Sequence, residues 1–281
     1  MRVLASTIIR VDALGILEGL SWKSYPAGDL EKIHTGYDLI PNKLRLRLLT
    51  EEEKRKIVLH PLLFDTTLES LGERYFVLES KNTTTNALLE ANHPIKKALL
   101  TFQLMKPGGV FLEGIYLFNP TTGKVQGKLQ TLPIPPAYTM YEFILYEIEN
   151  VRTILNSLQT VDLEANSSLR IACDRFSRSY NDIPFEDKLI DLCIGLEALY
   201  FKDVKKKYRR VTRKGMTIGL ACSMLLGNND ASRNEILNII IEAFEKRNDI
   251  VHGEVTDIGE MYKYASYLED YLRRSILCLI P

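Results

Sequence analysis

A chain of 281 residues, 46% hydrophobic, with 36 basic and 36 acidic residues and a formal net charge of zero, can bury one large core or two ordinary ones. The four cysteines, Cys173, Cys193, Cys222 and Cys278, lie singly on helical segments without the paired spacing of a zinc site, so they read as small core residues in a reducing compartment and no metal is expected. The opening MRVLASTIIRVDALG is interrupted by Arg10 and Asp12, and nothing else reaches the roughly 18 uninterrupted apolar residues of a membrane span; a soluble cytoplasmic protein with no membrane contact is expected.

From residue 1 to 131 the hydrophobic period is mostly two, the mark of half-buried strands. KLRLRLL (43–49) alternates basic and apolar residues. Further strands are predicted over 2–11, 57–63, 75–79, 110–118 and 124–131, the last two joined by the turn cluster NPTTGK. Between them residues 84–105 have helical spacing, with Thr84 or Thr85 as N-cap and a stop at Lys106-Pro107-Gly108-Gly109. His34, His60 and His93 show no partner pattern and read as structural or surface residues. The segment LPIPP (132–136) can continue neither a helix nor a central strand, which makes it a stiff connector. An α+β domain with a mainly antiparallel sheet and one long helix is therefore predicted for 1–136.

Beyond the connector the period becomes 3.6. Helices are predicted over 141–158, 163–180, 185–201, 211–226, 232–252 and 260–279, joined by short breaks, so 137–281 reads as an all-α up-and-down helical bundle.

The fifth of these helices ends in EAFEKRNDIVHG (242–253). Ile236, Ile239, Ile240, Ala243 and Phe244 form an apolar stripe that Arg247 continues. A guanidinium on such a face must find an anion inside the protein or be held ready for one that arrives. Asn248 and His252, four residues apart, stack on a neighbouring face, and Gly253 follows as a C-cap. The same Arg-x4-His spacing occurs at Arg55 and His60, but there the spacer holds strand-like Ile57, Val58 and Leu59, and Pro61 follows.

Other residues extend this constellation. Glu197 sits within or beside the apolar face of the 185–201 helix and needs a cation, with Arg213 and Arg247 as candidates; it either orients the bundle as an ion pair or positions Arg247 or substrate. The run KDVKKKYRRVTRK (202–214) gathers eight basic residues around one acid, so Lys205, Lys206, Lys207, Arg209 and Arg210 form either a solvated loop or a phosphate-tracking surface. Tyr262, Tyr264, Tyr267 and Tyr271 have helical spacing and read as packing or a subunit contact.

RNDIVHG (247–253), together with FEDKLIDLCIGLEALYF (185–201) and RKGMTIGLACSMLLG (213–227), resembles successive blocks of the HEPN superfamily, in particular its ApeA-like branch associated with bacterial anti-phage defence. The resemblance covers about the last half of the chain. In the first half, PIKKALLTFQLMKPGGVFLEG (94–114) is similar to the helix, turn and strand such proteins often carry ahead of that domain.

The resemblance implies an R-x4-H endoribonuclease, metal-independent and without a cofactor, acting on single-stranded RNA in defence or a toxin-like role. RNA supplies its own nucleophile, the 2′-OH, so such an enzyme needs a proton-transfer group and a cation for the transition state. His252 is expected to transfer the proton, Arg247 to hold the phosphate and Asn248 to orient the imidazole or a phosphate oxygen. A single motif offers one imidazole where acid and base are both wanted, and the resemblance implies a homodimer through the C-terminal helical bundle that pools two motifs. The N-terminal domain is expected to sense an unknown ligand or a phage-derived trigger. The alternative is a non-catalytic HEPN module that binds nucleotide or a partner and only dimerises.

Overall fold

The computed structural model describes residues 11–18, 20–22, 36–48, 50–58, 76–82, 87–118, 125–130, 141–143, 147–180, 184–202, 213–254 and 257–281. The chain forms two compact units, Met1–Leu155 and Asn156–Pro281. Outside the described residues lie 2–10, His34, His60, Thr84, Thr85, the 132–136 segment, Lys205, Lys206, Lys207, Arg209 and Arg210.

The first unit is α+β. Its described elements are β1 (Val11–Glu18), β2 (Leu20–Trp22), β3 (Tyr37–Ile40), β4 (Leu44–Leu48), α1 (Glu51–Val58), β5 (Phe76–Asn82), α2 (Ala87–Met105), β6 (Phe111–Phe118), β7 (Val125–Gln130) and β8 (Tyr141–Phe143), followed by the start of α3 (Ile148–Thr160). Six strands form an antiparallel sheet in the order β3-β4-β5-β1-β6-β7. A separate parallel pair joins β2 to β8.

The alternation in β4 decides its facing: Leu44, Leu46 and Leu48 are buried, while Arg45 and Arg47 stay half-buried on the other face. Arg47 is held there by Glu53 at 2.7 Å and Glu79 at 3.1 Å. Helix α2 places Ile95, Ala98, Leu99 and Phe102 against Leu39, Leu44, Leu46 and Leu78, the three-and-four spacing of one helix face. The core continues into Tyr141, Phe143, Ile148, Val151 and Leu155, which carries the unit past the Pro-rich segment. The Tyr141 hydroxyl donates to the Phe102 carbonyl at 3.0 Å.

Three predicted elements differ. Residues 141–158 do not form one helix: Tyr141 and Phe143 flank Glu142 in a strand that pairs with Leu20–Trp22, and the helix begins at Ile148. Ile57 and Val58 are not strand but the end of α1. That helix starts at a reciprocal cap in which the Thr50 amide donates to Glu53 Oε2 at 3.0 Å and the Glu53 amide donates to Thr50 Oγ1 at 3.2 Å. The strand expected over 2–11 meets the described residues only at Val11, where β1 begins and runs on to Glu18.

The second unit is helical: α4 (Ser167–Ser179), α5 (Phe185–Tyr200), α6 (Lys214–Leu226), α7 (Asp230–Val251) and α8 (Ile258–Leu279). Helix α5 packs against each of the other four, and Leu189, Leu192, Cys193 and Leu196 are buried in it. Two buried charges on α5 have partners. Lys188 pairs with Glu269 and lies over the Tyr180 ring at 5.4 Å, and Asp191 takes Arg175 and Arg178. Asn229 and Ser232 form a capping box that starts α7, and the Asp257 carboxylate accepts the Glu260 amide at 2.9 Å to start α8.

In the tyrosine cluster of α8, Tyr264 and Tyr271 are buried, while Tyr262, which meets Phe185 edge-on, and Tyr267, which stacks on Tyr271, are exposed. Cys173, Cys193 and Cys222 are core residues as expected, but Cys278, in the last turn of α8, is exposed. Among the described residues no helix is long and apolar enough to cross a membrane.

Candidate anion-binding cleft and the end of helix α7

Helix α7 carries the predicted stripe. Ile236, Ile240, Ala243 and Phe244 are buried and Ile239 is half-buried, so the helix presents one apolar face and ends on polar residues. Its end is a Schellman closure. His252 is the C-cap, the Gly253 amide donates to the Ile250 carbonyl at 3.0 Å, and the Glu254 amide donates to the Asp249 carbonyl at 2.9 Å. Gly253 has φ +81°, a left-handed conformation that side chains disfavour, which is why glycine follows the histidine here.

Helix α6 lies close on α7 because two of its residues lack side chains. A Cβ on Gly215 would stand 3.0 Å from Phe244 Cβ, and one on Gly219 would stand 2.8 Å from Leu237 Cδ1. At the N-terminal end of α6 the two helices part around a cleft of about 350 Å³. Arg213, Lys214, Gly215 and Met216 line one side, and Ile241, Phe244, Glu245, Arg247 and Asn248 line the other.

Three lining side chains are cations, and they differ in what they touch. Lys214 Nζ is 2.7 Å from Glu197 Oε1 and 5.7 Å from the centre of the Phe201 ring. The cation of Glu197 is thus Lys214 rather than Arg213 or Arg247. The reason is register: α6 begins at Lys214, which leaves Arg213 outside the helix as its exposed N-cap, with no side-chain cap bond. Half-buried Arg247 donates from Nη1 to Asn248 Oδ1 at 3.2 Å and, among the described residues, has no carboxylate partner. Its charge still reaches α5: burial pushes the Cys193 thiol far up, Arg247 draws it down and Glu197 adds to the rise.

The cleft therefore brings together Arg213, Arg247 and Asn248 and adds Lys214, which ties Glu197 to the same place. Residue order could not single out Lys214 from the basic run, since the pairing depends on where α6 starts. His252 is not on the cleft wall. It stands one helical turn beyond Asn248, exposed, and among the described residues its imidazole has no hydrogen-bond partner. Chemically, three guanidinium or ammonium groups around a half-buried hollow suit a phosphate, and an unengaged imidazole at the adjoining helix end suits proton transfer. No protein-family model, no curated protein and no solved structure matches the chain.

Proposed function

We propose that the chain is a HEPN-like, metal-independent endoribonuclease that cleaves single-stranded RNA through the ribose 2′-OH. The observation that carries this reading is Arg247: a half-buried guanidinium without a carboxylate partner among the described residues, on the wall of a cleft with two more cations, one turn before an unengaged histidine. In the reaction the 2′-oxygen loses its proton and attacks phosphorus, the bond from phosphorus to the 5′-oxygen breaks, and the leaving 5′-oxygen takes up a proton. Arg247 holds the non-bridging oxygens where charge grows, Asn248 orients through its amide, and His252 moves a proton. Arg213 supports the same phosphate, while Glu197 holds Lys214 at the cleft edge.

Acid and base on opposite sides of phosphorus call for two imidazoles, and a homodimer through the helical unit supplies them. Helix α6 supports a self-contact, since beyond Lys214 it carries no charge and Leu220 and Met224 are exposed four residues apart. The resemblance of residues 185–253 to ApeA-like proteins supports a setting in anti-phage defence, with the first unit as the receiver of a trigger.

One observation favours a second reading, a non-catalytic module that binds nucleotide or a partner: His252 does not line the cleft that Arg247 lines. Incubating the full chain with end-labelled single-stranded RNA in EDTA separates the two. The nuclease reading expects cleavage by the parent, and none by His252→Ala at unchanged circular dichroism. RNA that is bound but left intact by the parent refutes catalysis and leaves the binding module.

A further inference from the structure

The cleft holds a residue that a phosphate site alone does not explain. Glu245, exposed on α7, lines the same hollow as Arg213, Lys214 and Arg247. A carboxylate there repels a phosphate, so it weakens simple anion binding. Nor does it serve to neutralise the neighbouring cations. Lys214 is paired with Glu197, Arg247 is bonded to Asn248, and among the described residues no ion pair engages Glu245. Glu245 thus brings an unpaired acceptor group to a cleft that Met216 and Phe244 also line.

A cleft of about 350 Å³ lies near the small end of ligand sites, which run from roughly 300 to 1,000 Å³. That is room for one nucleotide rather than a stretch of strand. We propose that the cleft is a base-reading subsite in which one nucleotide places its phosphate on Arg247 and Arg213, lays its base against the exposed Met216, and is selected as guanine by Glu245. The inference rests on the reading of the cleft as an RNA site.

The selection follows from donor and acceptor patterns. A carboxylate only accepts, and its two oxygens match two donors set side by side. Guanine presents N1–H and the N2 amino group together on its Watson–Crick edge. Uracil presents one N–H between two carbonyls, which point negative charge at the carboxylate. Adenine and cytosine set one amino group beside an acceptor nitrogen. Single-stranded RNA leaves these edges free to be read.

The test is calorimetric titration of the full chain with 5′-GMP, 5′-UMP and inorganic phosphate. GMP should bind roughly tenfold or more tightly than UMP, the discrimination of one good bidentate contact. Glu245→Gln should bring GMP close to UMP while circular dichroism stays unchanged, since the side chain is exposed, and Arg247→Ala should weaken both nucleotides alike. Equal binding of GMP and UMP, a GMP preference that survives Glu245→Gln, or GMP no tighter than phosphate overturns the base pocket. A chain that cuts RNA but binds the two nucleotides equally keeps the nuclease and loses the pocket. A chain that selects GMP but cuts no RNA does the reverse.

Discussion

Replacing Gly253 by alanine perturbs the helix end on which His252 stands. At φ +81° the backbone is left-handed, and a Cβ built there meets nothing within 4 Å, so the cost of alanine is conformational rather than steric. That cost is about 1–2 kcal/mol, equivalent to a fall of roughly 3–8 °C in Tm for a unit of this size. Asparagine, which tolerates the left-handed region, should recover part of it. Urea denaturation followed by far-UV circular dichroism measures the change as a lower midpoint at constant slope. Cleavage of RNA should fall more than mononucleotide binding, because Arg247 lies within the helix and His252 at its loosened end. An alanine variant as stable as the parent would refute the left-handed closure. An asparagine variant weaker than alanine would refute the conformational origin of the loss.

Three further outcomes are expected. Burial pushes the Glu53 carboxyl up, but hydrogen bonds and charge from Arg47, with the donors of Thr50, outweigh it and leave the group below its ordinary value. A carboxyl depressed by folding stabilises above its unfolded pKa and loses that contribution as pH falls through the folded one. The urea midpoint of the first unit should therefore decline below a pH of about 4, and Glu53→Gln should flatten part of that decline. Charge reversal at Lys205, Lys206 and Lys207 should weaken RNA binding and flatten its dependence on salt by roughly one counterion per lost contact; an unchanged slope in a filter-binding titration makes the run a solvated loop. Mixing the parent chain with His252→Ala protomers should lower cleavage more steeply than the parent fraction falls, because a mixed dimer keeps a single imidazole; a proportional fall, or a monomer by light scattering that cleaves at full rate, contradicts the shared site.

Local signals in the chain carried much of this structure. KLRLRLL alternates and is a strand, and glycine after His252 closes a helix, whereas the caps Asn229 and Asp257 start α7 and α8 ahead of residues 232 and 260, where the apolar periods begin. What depends on partners far along the chain was not legible. Strand β1 is paired on both sides, so VDALGILE shows no clean alternation. The three residues of β8 are too few to show a period and owe their conformation to Leu20–Trp22. The Thr50 to Glu53 cap stood in the sequence as T-x-x-E, and it outweighed the strand-like Ile57 and Val58 that follow. At the site, Arg247, Asn248 and Gly253 could be read from their context, an amphipathic helix whose stripe Arg247 continues, with Asn after the Arg and Gly after the His, and not from a spacing that Arg55 and His60 share. The pairing of Glu197 with Lys214, and the cleft that Met216 and Phe244 line, arise only when α6 lies on α7.

The most direct measurement offers the full chain, in EDTA, two single strands of one sequence: RNA and its 2′-O-methyl counterpart, which keeps the phosphates and bases but blocks the nucleophile. The parent protein should cut the RNA, leave a 2′,3′-cyclic phosphate at the new end and spare the methylated strand, and His252→Ala should cut neither. Cleavage of the methylated strand, or equal cleavage of RNA by His252→Ala, would contradict the assignment of 2′-OH chemistry to this helix end.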